Sequence, residues 1–133
     1  LDPERYLRFL PHLSRQEYQA LNAIGDIYLD TPGWSGGNTT LEALYQDLPV
    51  VTMRGSKMRA CVSAGMLSLI GVEETIAEND DQFVALAVRL AVDRQWRDRV
   101  IGRISAGRAT LETDMRSITA LEAFMEGAVA QSR

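Results

Sequence analysis

From Thr31 to Thr52 the chain reads TPGWSGGNTTLEALYQDLPVVT. Ser35, Gly36, Gly37, Asn38, Thr39 and Thr40 crowd together directly ahead of a helical pattern, Leu41-Glu42-Ala43-Leu44-Tyr45. The first turn of a helix has N–H groups without intrahelical partners and a partial positive charge, and both favour a bound anion. Gly36 and Gly37 have no side chain to hold a phosphate off the backbone, while Asn38, Thr39 and Thr40 could cap the helix or donate to oxygens. A diphosphate fits such a loop. A glycine turn with a threonine cap and no ligand has the same composition, and local chemistry does not separate the two. Glu42, one turn into the helix, shares the ligand side with Thr39 and could accept from both hydroxyls of a ribose. An acid in a first turn also stabilises the helix dipole by about 0.3–1 kcal/mol without any ligand.

Other reactive residues are scattered. His12 is the sole histidine and follows Pro11, which suits a partly exposed loop. With no Cys or carboxylate cluster at ligand spacing, no metal site is expected. Cys61 shares a helical stretch with Val62 and Met66, which suits a small core residue, and no His is placed in sequence to activate it. Arg54, Lys57 and Arg59 form a basic patch after PVVT, able to hold phosphate or an acceptor, or simply to be solvated. Trp34 could pack on a sugar or anchor its own loop.

These residues need elements to position them. Tyr6, Leu7, Phe9 and Leu10 in RYLRFLP predict a short strand stopped by Pro11. Ser14 and Glu17 form a capping-box pattern opening a helix over 14–24, which Gly25 ends. DIYLDT, 26–31, predicts a buried strand, followed by the loop, a helix over 39–46 and a second buried strand in LPVVTM. That is a βαβ unit, expected parallel. A helix is predicted over 57–70, closed by Gly71, and TIA at 75–77 is a candidate third strand. Further helices are predicted from Asp80 or Asp81 to Asp93, around Trp96 to 108, and over 114–130 with Ile118, Leu121, Phe124, Met125 and Val129 as its apolar side. Strands alternating with helices predict an open parallel α/β sheet.

With 133 residues the chain suits one domain, burying roughly two-thirds of its unfolded surface. A net charge of −4 offers no basic footprint for nucleic acid. No run approaches the roughly 20 apolar residues of a spanning helix, so no membrane is expected. A single cysteine suits a reducing, cytoplasmic setting. The chain opens on Leu1 without Met or signal-peptide pattern, which reads as a segment of something longer.

LRFLPHLSRQEY, then DIYLDTPGWSGGNTTLEALYQDLPVVTMRG, then MLSLIGVEETIAEN, resembles the carboxyl-terminal half of the catalytic region of glycosyltransferase family 41, the O-linked N-acetylglucosamine transferase and SPINDLY-like proteins. QFVALAVRLAVDRQWRDRV, Asp114 and the ALEAF at 120–124 are similar to the tail of bacterial members. The resemblance implies a Rossmann-like α/β lobe, the carboxyl-terminal one of a two-lobed GT-B glycosyltransferase, here incomplete. It implies that Gly37, Asn38 and Thr39 present helix amides to a donor diphosphate, with Gly36 and Thr40 in the same loop. Glu42 then takes the ribose, Tyr18 lies against the base and Arg15 adds a positive charge. Several positions depart from the pattern: Gly37 and Leu21 stand where animal members have His and a basic residue, Arg54 replaces a customary Pro, and Cys61 sits where a charged residue or His is common.

The implied activity is inverting, metal-independent transfer of a sugar from a nucleotide donor, UDP-N-acetylglucosamine foremost, to a protein Ser or Thr hydroxyl, with no cofactor. Implied partners are the donor, the protein acceptor, an amino-terminal catalytic lobe and tetratricopeptide repeats. No residue is identified as the general base, so the chain alone is expected to be inactive and to bind nucleotide weakly if at all. An apolar face left by the other lobe would invite homodimerisation. A sugar-nucleotide epimerase of the same architecture and a non-catalytic sensor or assembly lobe remain open alternatives.

Overall fold

The structure, a computed structural model, describes residues 2–131. Three short parallel strands, β1 (Tyr28–Leu29), β2 (Val50–Met53) and β3 (Ile76–Ala77), form a sheet in the order β1-β2-β3. Tyr28 pairs with Val50 across the first pair, and Thr52 with Ile76 across the second. The helices are α1 (Pro3–Tyr6), α2 (Arg15–Ile24), α3 (Asn38–Tyr45), α4 (Val62–Leu69), α5 (Asp80–Val92), α6 (Arg94–Gly107), α7 (Thr110–Thr113) and α8 (Arg116–Gln131). The fold is α/β, a parallel sheet with flanking helices, as expected.

Local chemistry explains most boundaries. Ser14 and Glu17 exchange both capping-box bonds at the start of α2, and Gly25 is its C-cap. Asn79 and Asp93 cap α5 and α6 through their side chains. Gly71 turns the chain out of α4 at φ 74°, a conformation that costs glycine little. The hydrophobic strand β2 is the middle of the sheet, and α3, α4 and α5 pack on it. Val50, Val51, Leu44, Leu67, Val72, Leu90, Val100 and Ile104 form the centre of the core, all withdrawn from solvent. Trp96 is buried with them, the Arg89 guanidinium lying 4.2 Å from its ring centroid.

Four expectations need correction. The strand expected over 6–10 is absent: Asp2 accepts the Glu4 N–H and Pro3 supplies the first helical φ, so the chain makes one turn of α1 instead. Leu7 to Leu10 follow without regular structure, and Phe9 is almost wholly exposed. The helix over 57–70 is broken into a 3-10 turn, Met58–Ala60, and α4. Gly55 folds back so closely that an added Cβ would lie 2.3 Å from that of Ala60, and its N–H bonds the Ala60 carbonyl. The buried strand expected over 26–31 is only the two residues of β1, and at this edge of the sheet Leu29 is 55% exposed. Finally, none of the described residues of α8 is buried, so its apolar side, Phe124 included, faces solvent.

Candidate functional site

The loop leaving β1 is built around Asp30. Its carboxylate is buried, and Oδ1 accepts the Gly36 N–H at 2.7 Å. Oδ2 accepts the hydroxyls of Ser35 at 2.8 Å and Thr52 at 2.7 Å. Ser35 Oγ in turn accepts the Ser63 N–H at 2.8 Å, and Ser63 Oγ lies 2.7 Å from Thr40 Oγ1. One carboxylate thus ties the end of β1, the glycine loop and β2, and a chain of hydroxyls extends the tie to α3 and α4. Such a network fixes geometry because each buried donor has an acceptor, and losing one strands the other.

The two glycines have different reasons to be glycine. A Cβ on Gly36 would meet Thr40 Oγ1 at 2.4 Å and Thr39 Oγ1 at 2.8 Å, so the protein itself excludes it. A Cβ on Gly37 would meet nothing within 4 Å. Gly37 is also the N-cap of α3 and makes no side-chain cap bond. The capping expected of Asn38, Thr39 or Thr40 therefore does not occur. Leu41 N–H to the Gly37 carbonyl is the first bond of the helix, so the earlier amides of the turn have no intrahelical partner. Thr39 Oγ1 accepts from the Tyr28 hydroxyl at 3.0 Å. Thr40 is fully buried, its hydroxyl taken up by Ser63, so only its backbone remains to meet an oxygen.

From this helix start a groove of about 500 Å3 runs between α2 and α3, lined by Arg15, Gln19, Asn38, Leu41, Glu42, Tyr45 and Gln46. Arg15 Nε stands 3.6 Å from Glu42 Oε1 across it, and the Arg15 side chain is 80% exposed. With its Arg15 side so open, the pair contributes little to stability, about 0–1 kcal/mol, although the Glu42 side chain is only 24% exposed. Tyr18, half-buried on α2, is not among the lining residues. Burial, followed by the charge of a neighbouring Tyr28 phenolate, raises its hydroxyl above the ordinary tyrosine pKa. Three of the residues expected to bind the donor, Arg15, Asn38 and Glu42, thus share one groove. Gly36, Gly37 and Thr39 stand at its head, and Thr40 turns inward.

The residues that sequence reasoning left unassigned are the brace, Asp30, Ser35 and Ser63, and the groove residues Gln19, Leu41, Tyr45 and Gln46. Gln19 follows Arg15 by one helical turn, and Tyr45 and Gln46 follow Glu42 likewise, a spacing readable in the sequence. Ser63 carried no such signal. Among the remaining candidates, His12 is exposed, and Arg54 donates to Ser68 Oγ at 3.0 Å. The Arg59 guanidinium lies 5.5 Å from the ring of Trp34, itself 69% exposed. Cys61 is half-buried and donates to the Gly55 carbonyl. Among the described residues, no three His, Cys, Asp or Glu side chains converge on a metal position, and no helix is long and apolar enough to cross a membrane.

Residues 3–118 match the profile described as Glycosyl transferase family 41. The chain belongs to glycosyl transferase family 41. Among curated relatives, the probable UDP-N-acetylglucosamine–peptide N-acetylglucosaminyltransferase SPINDLY of Petunia hybrida is 38% identical over 97 residues, 70% of this chain and 10% of the relative. The UDP-N-acetylglucosamine–peptide N-acetylglucosaminyltransferase of Caenorhabditis elegans is 32% identical over 93 residues, 70% of this chain and 8% of that protein. A solved mutant of the Thermobaculum terrenum O-GlcNAc transferase superposes with a TM-score of 0.77 at 29% identity, covering 87% of this chain and 23% of that one. The family 41 chain described here therefore spans about a tenth of the length of the curated relatives it matches. Its sheet and helices have the Rossmann-like arrangement of the corresponding part of a two-lobed GT-B transferase.

Proposed function

We propose that this chain is the donor-binding part of a glycosyltransferase that moves N-acetylglucosamine from UDP-N-acetylglucosamine to a Ser or Thr hydroxyl of a protein. The observation that carries the reading is the start of α3. Its amides have no side-chain cap, the Asp30 brace holds them in place, Gly37 leaves the approach open, and a groove with Arg15 and Glu42 begins there. Amides at Gly37, Asn38 and Thr39 receive the diphosphate, Glu42 accepts from the ribose hydroxyls, and Arg15 adds charge. Tyr18, on α2 beside the groove but not lining it, is assigned to the base. The names of the relatives support the same donor and a peptide acceptor.

The chemical task is to stabilise a leaving diphosphate. The acceptor oxygen attacks the anomeric carbon from the face opposite the diphosphate, the C–O bond to phosphate breaks, and its electron pair departs on the diphosphate, inverting the centre. Fixed N–H donors at the α3 start meet that growing charge without reorganising; in the oxyanion hole of an acyl-transfer enzyme one such donor is worth about 2.7–4 kcal/mol of barrier. The scheme needs no metal or cofactor. Removal of the acceptor proton is assigned to the rest of the protein, together with acceptor binding, an amino-terminal lobe and tetratricopeptide repeats. We place the enzyme in the cytoplasm.

Titration calorimetry of the full-length protein with UDP, UDP-N-acetylglucosamine and GDP tests the reading. UDP is expected to bind, and Glu42→Ala to weaken it by about 10–100-fold, the equivalent of about 1.4–2.8 kcal/mol for lost charge-assisted bonds to ribose. Stability should change by no more than about 1 kcal/mol, because the Arg15 partner that Glu42 would lose is 80% exposed. A full-length protein that binds none of the three, or a Glu42→Ala variant of it that binds as well as the parent, would overturn it and favour a non-catalytic lobe.

A further inference from the structure

The groove's far end is tied to the opposite end of the chain. Of its lining residues, Tyr45 alone, among the described residues, has a side-chain bond reaching beyond α2 and α3: its hydroxyl donates to Glu112 Oε1 on α7 at 2.6 Å, across 67 positions. A second tie lies beside it. Arg108, the C-cap of α6, donates from Nη1 to the Tyr45 carbonyl at 2.8 Å and to Asp47 Oδ1 at 3.0 Å. Helix carbonyls at a C-terminus have no intrahelical partner, and a cation there also suits the dipole.

The turn that Arg108 grips is itself well defined. Asp47 takes the left-handed conformation at φ 56°, its N–H bonds the Leu44 carbonyl, and the Leu48 N–H bonds the Ala43 carbonyl. That is a Schellman ending, which fixes where α3 stops and hence where Tyr45 and Gln46 stand. The N-terminal end of α3 is fixed by Asp30 and Ser63, and its C-terminal end by Arg108 and Glu112. The hydrogen bond that the Tyr45 hydroxyl donates to Glu112 is also the main reason it is raised above its ordinary pKa, so it stays protonated and donating.

We propose that Glu112 and Arg108 are positioning residues for the nucleotide groove, acting through Tyr45. Neither lines the groove. The bond to Glu112 restricts the Tyr45 side chain, and Arg108 sets the backbone beneath it, so the groove wall one turn beyond Glu42 is held before a ligand arrives. A ligand resting on a wall already in place loses less freedom on binding. The proposal rests on the nucleotide reading of the groove, and it makes the segment after α6 part of the binding machinery.

The test compares the full-length parent protein with its Tyr45→Phe, Glu112→Ala, Glu112→Gln and double Tyr45→Phe/Glu112→Ala variants. Each is titrated with UDP well below its melting temperature, and amide hydrogen exchange is followed over residues 41–46. Tyr45→Phe and Glu112→Ala should each raise Kd about 3–10-fold, and the double variant should be no worse than either, because both break the same bond. Glu112→Gln, which keeps an acceptor oxygen, should bind like the parent. Unchanged Kd in both single variants, or effects that multiply in the double, would overturn the proposal. If the parent itself binds no UDP, the nucleotide reading falls. Exchange then still judges the tie: faster exchange at 41–46 in Glu112→Ala upholds it, and unchanged exchange refutes it.

Discussion

Asp30→Ala removes the one carboxylate on which the end of β1, the glycine loop and β2 converge, and its cost can be worked out bond by bond. Three donors lose their acceptor: the Gly36 N–H at 2.7 Å, the Ser35 hydroxyl at 2.8 Å and the Thr52 hydroxyl at 2.7 Å. The Ser35 hydroxyl can turn to Ser63 Oγ, 2.8 Å away, and so finds a new partner. The Gly36 amide is fixed by the backbone, and the Thr52 side chain is fully buried. A buried donor left without a partner costs about 1–3 kcal/mol, so the buried Thr52 hydroxyl, the part-buried Gly36 amide and a small loss at Ser35 amount together to about 3–5 kcal/mol. At about 3–5 °C per kcal/mol for a chain of this size, the melting temperature should fall by about 10–20 °C.

Asp30→Asn should be milder, at about 1–2 kcal/mol, because its oxygen can keep the Gly36 N–H while its amide donates to a reoriented hydroxyl. Thermal and urea unfolding followed by circular dichroism measure both, with the urea slope showing whether the transition stays two-state. A fall of less than about 3 °C in Asp30→Ala, or an Asn variant less stable than the Ala one, would refute the brace.

The glycine pair makes a second test. Gly36→Ala should destabilise by about 1–3 kcal/mol through overpacking against Thr40 and Thr39, whereas Gly37→Ala should stay within about 1 kcal/mol and instead weaken UDP binding, as read by melting curves and calorimetry. A third concerns pH at the start of α8. The Arg116 guanidinium and backbone N–H bond the Asp114 carboxylate and lower its pKa to about 2, from an ordinary value of 3.8. A depressed carboxylate contributes stability that is present above its unfolded pKa and lost as pH falls through the folded one, so this contribution should disappear between about pH 4 and pH 2. An NMR titration should place the Asp114 midpoint near 2 and move it back toward the ordinary range in Arg116→Gln.

How much was legible in the sequence differed by range. Ser14 with Glu17, Gly25 and Gly71 mark helix ends because capping joins residues a few positions apart, and such bonds form wherever the helix forms. The same locality misled at the amino terminus. Tyr6, Leu7, Phe9 and Leu10 alternate like a strand, but a strand needs a neighbour, and these residues lie exposed with none in the described structure. Over 57–70 the apolar spacing is helical on both sides of Ala60, while the close return of Gly55 against it forbids a continuous helix.

By itself the sequence determined the α/β order of elements, the family, and the small-residue loop that leads into a helix. Each of these depends on residue type at short spacing. Tertiary structure decided which members of that loop face a ligand. Thr39 and Thr40 are neighbours of the same type, yet only Thr40 is buried, because α4 brings Ser63 to it from 23 positions away. Gly36 and Gly37 are identical in sequence, and only packing distinguishes the one that has no room from the one that leaves room. The ties from Asp30 to Thr52 and from Tyr45 to Glu112 join residues 22 and 67 apart, and no local propensity encodes them. They exist because the core sets the strands and helices at fixed distances, and polar side chains then bond across the gaps it leaves.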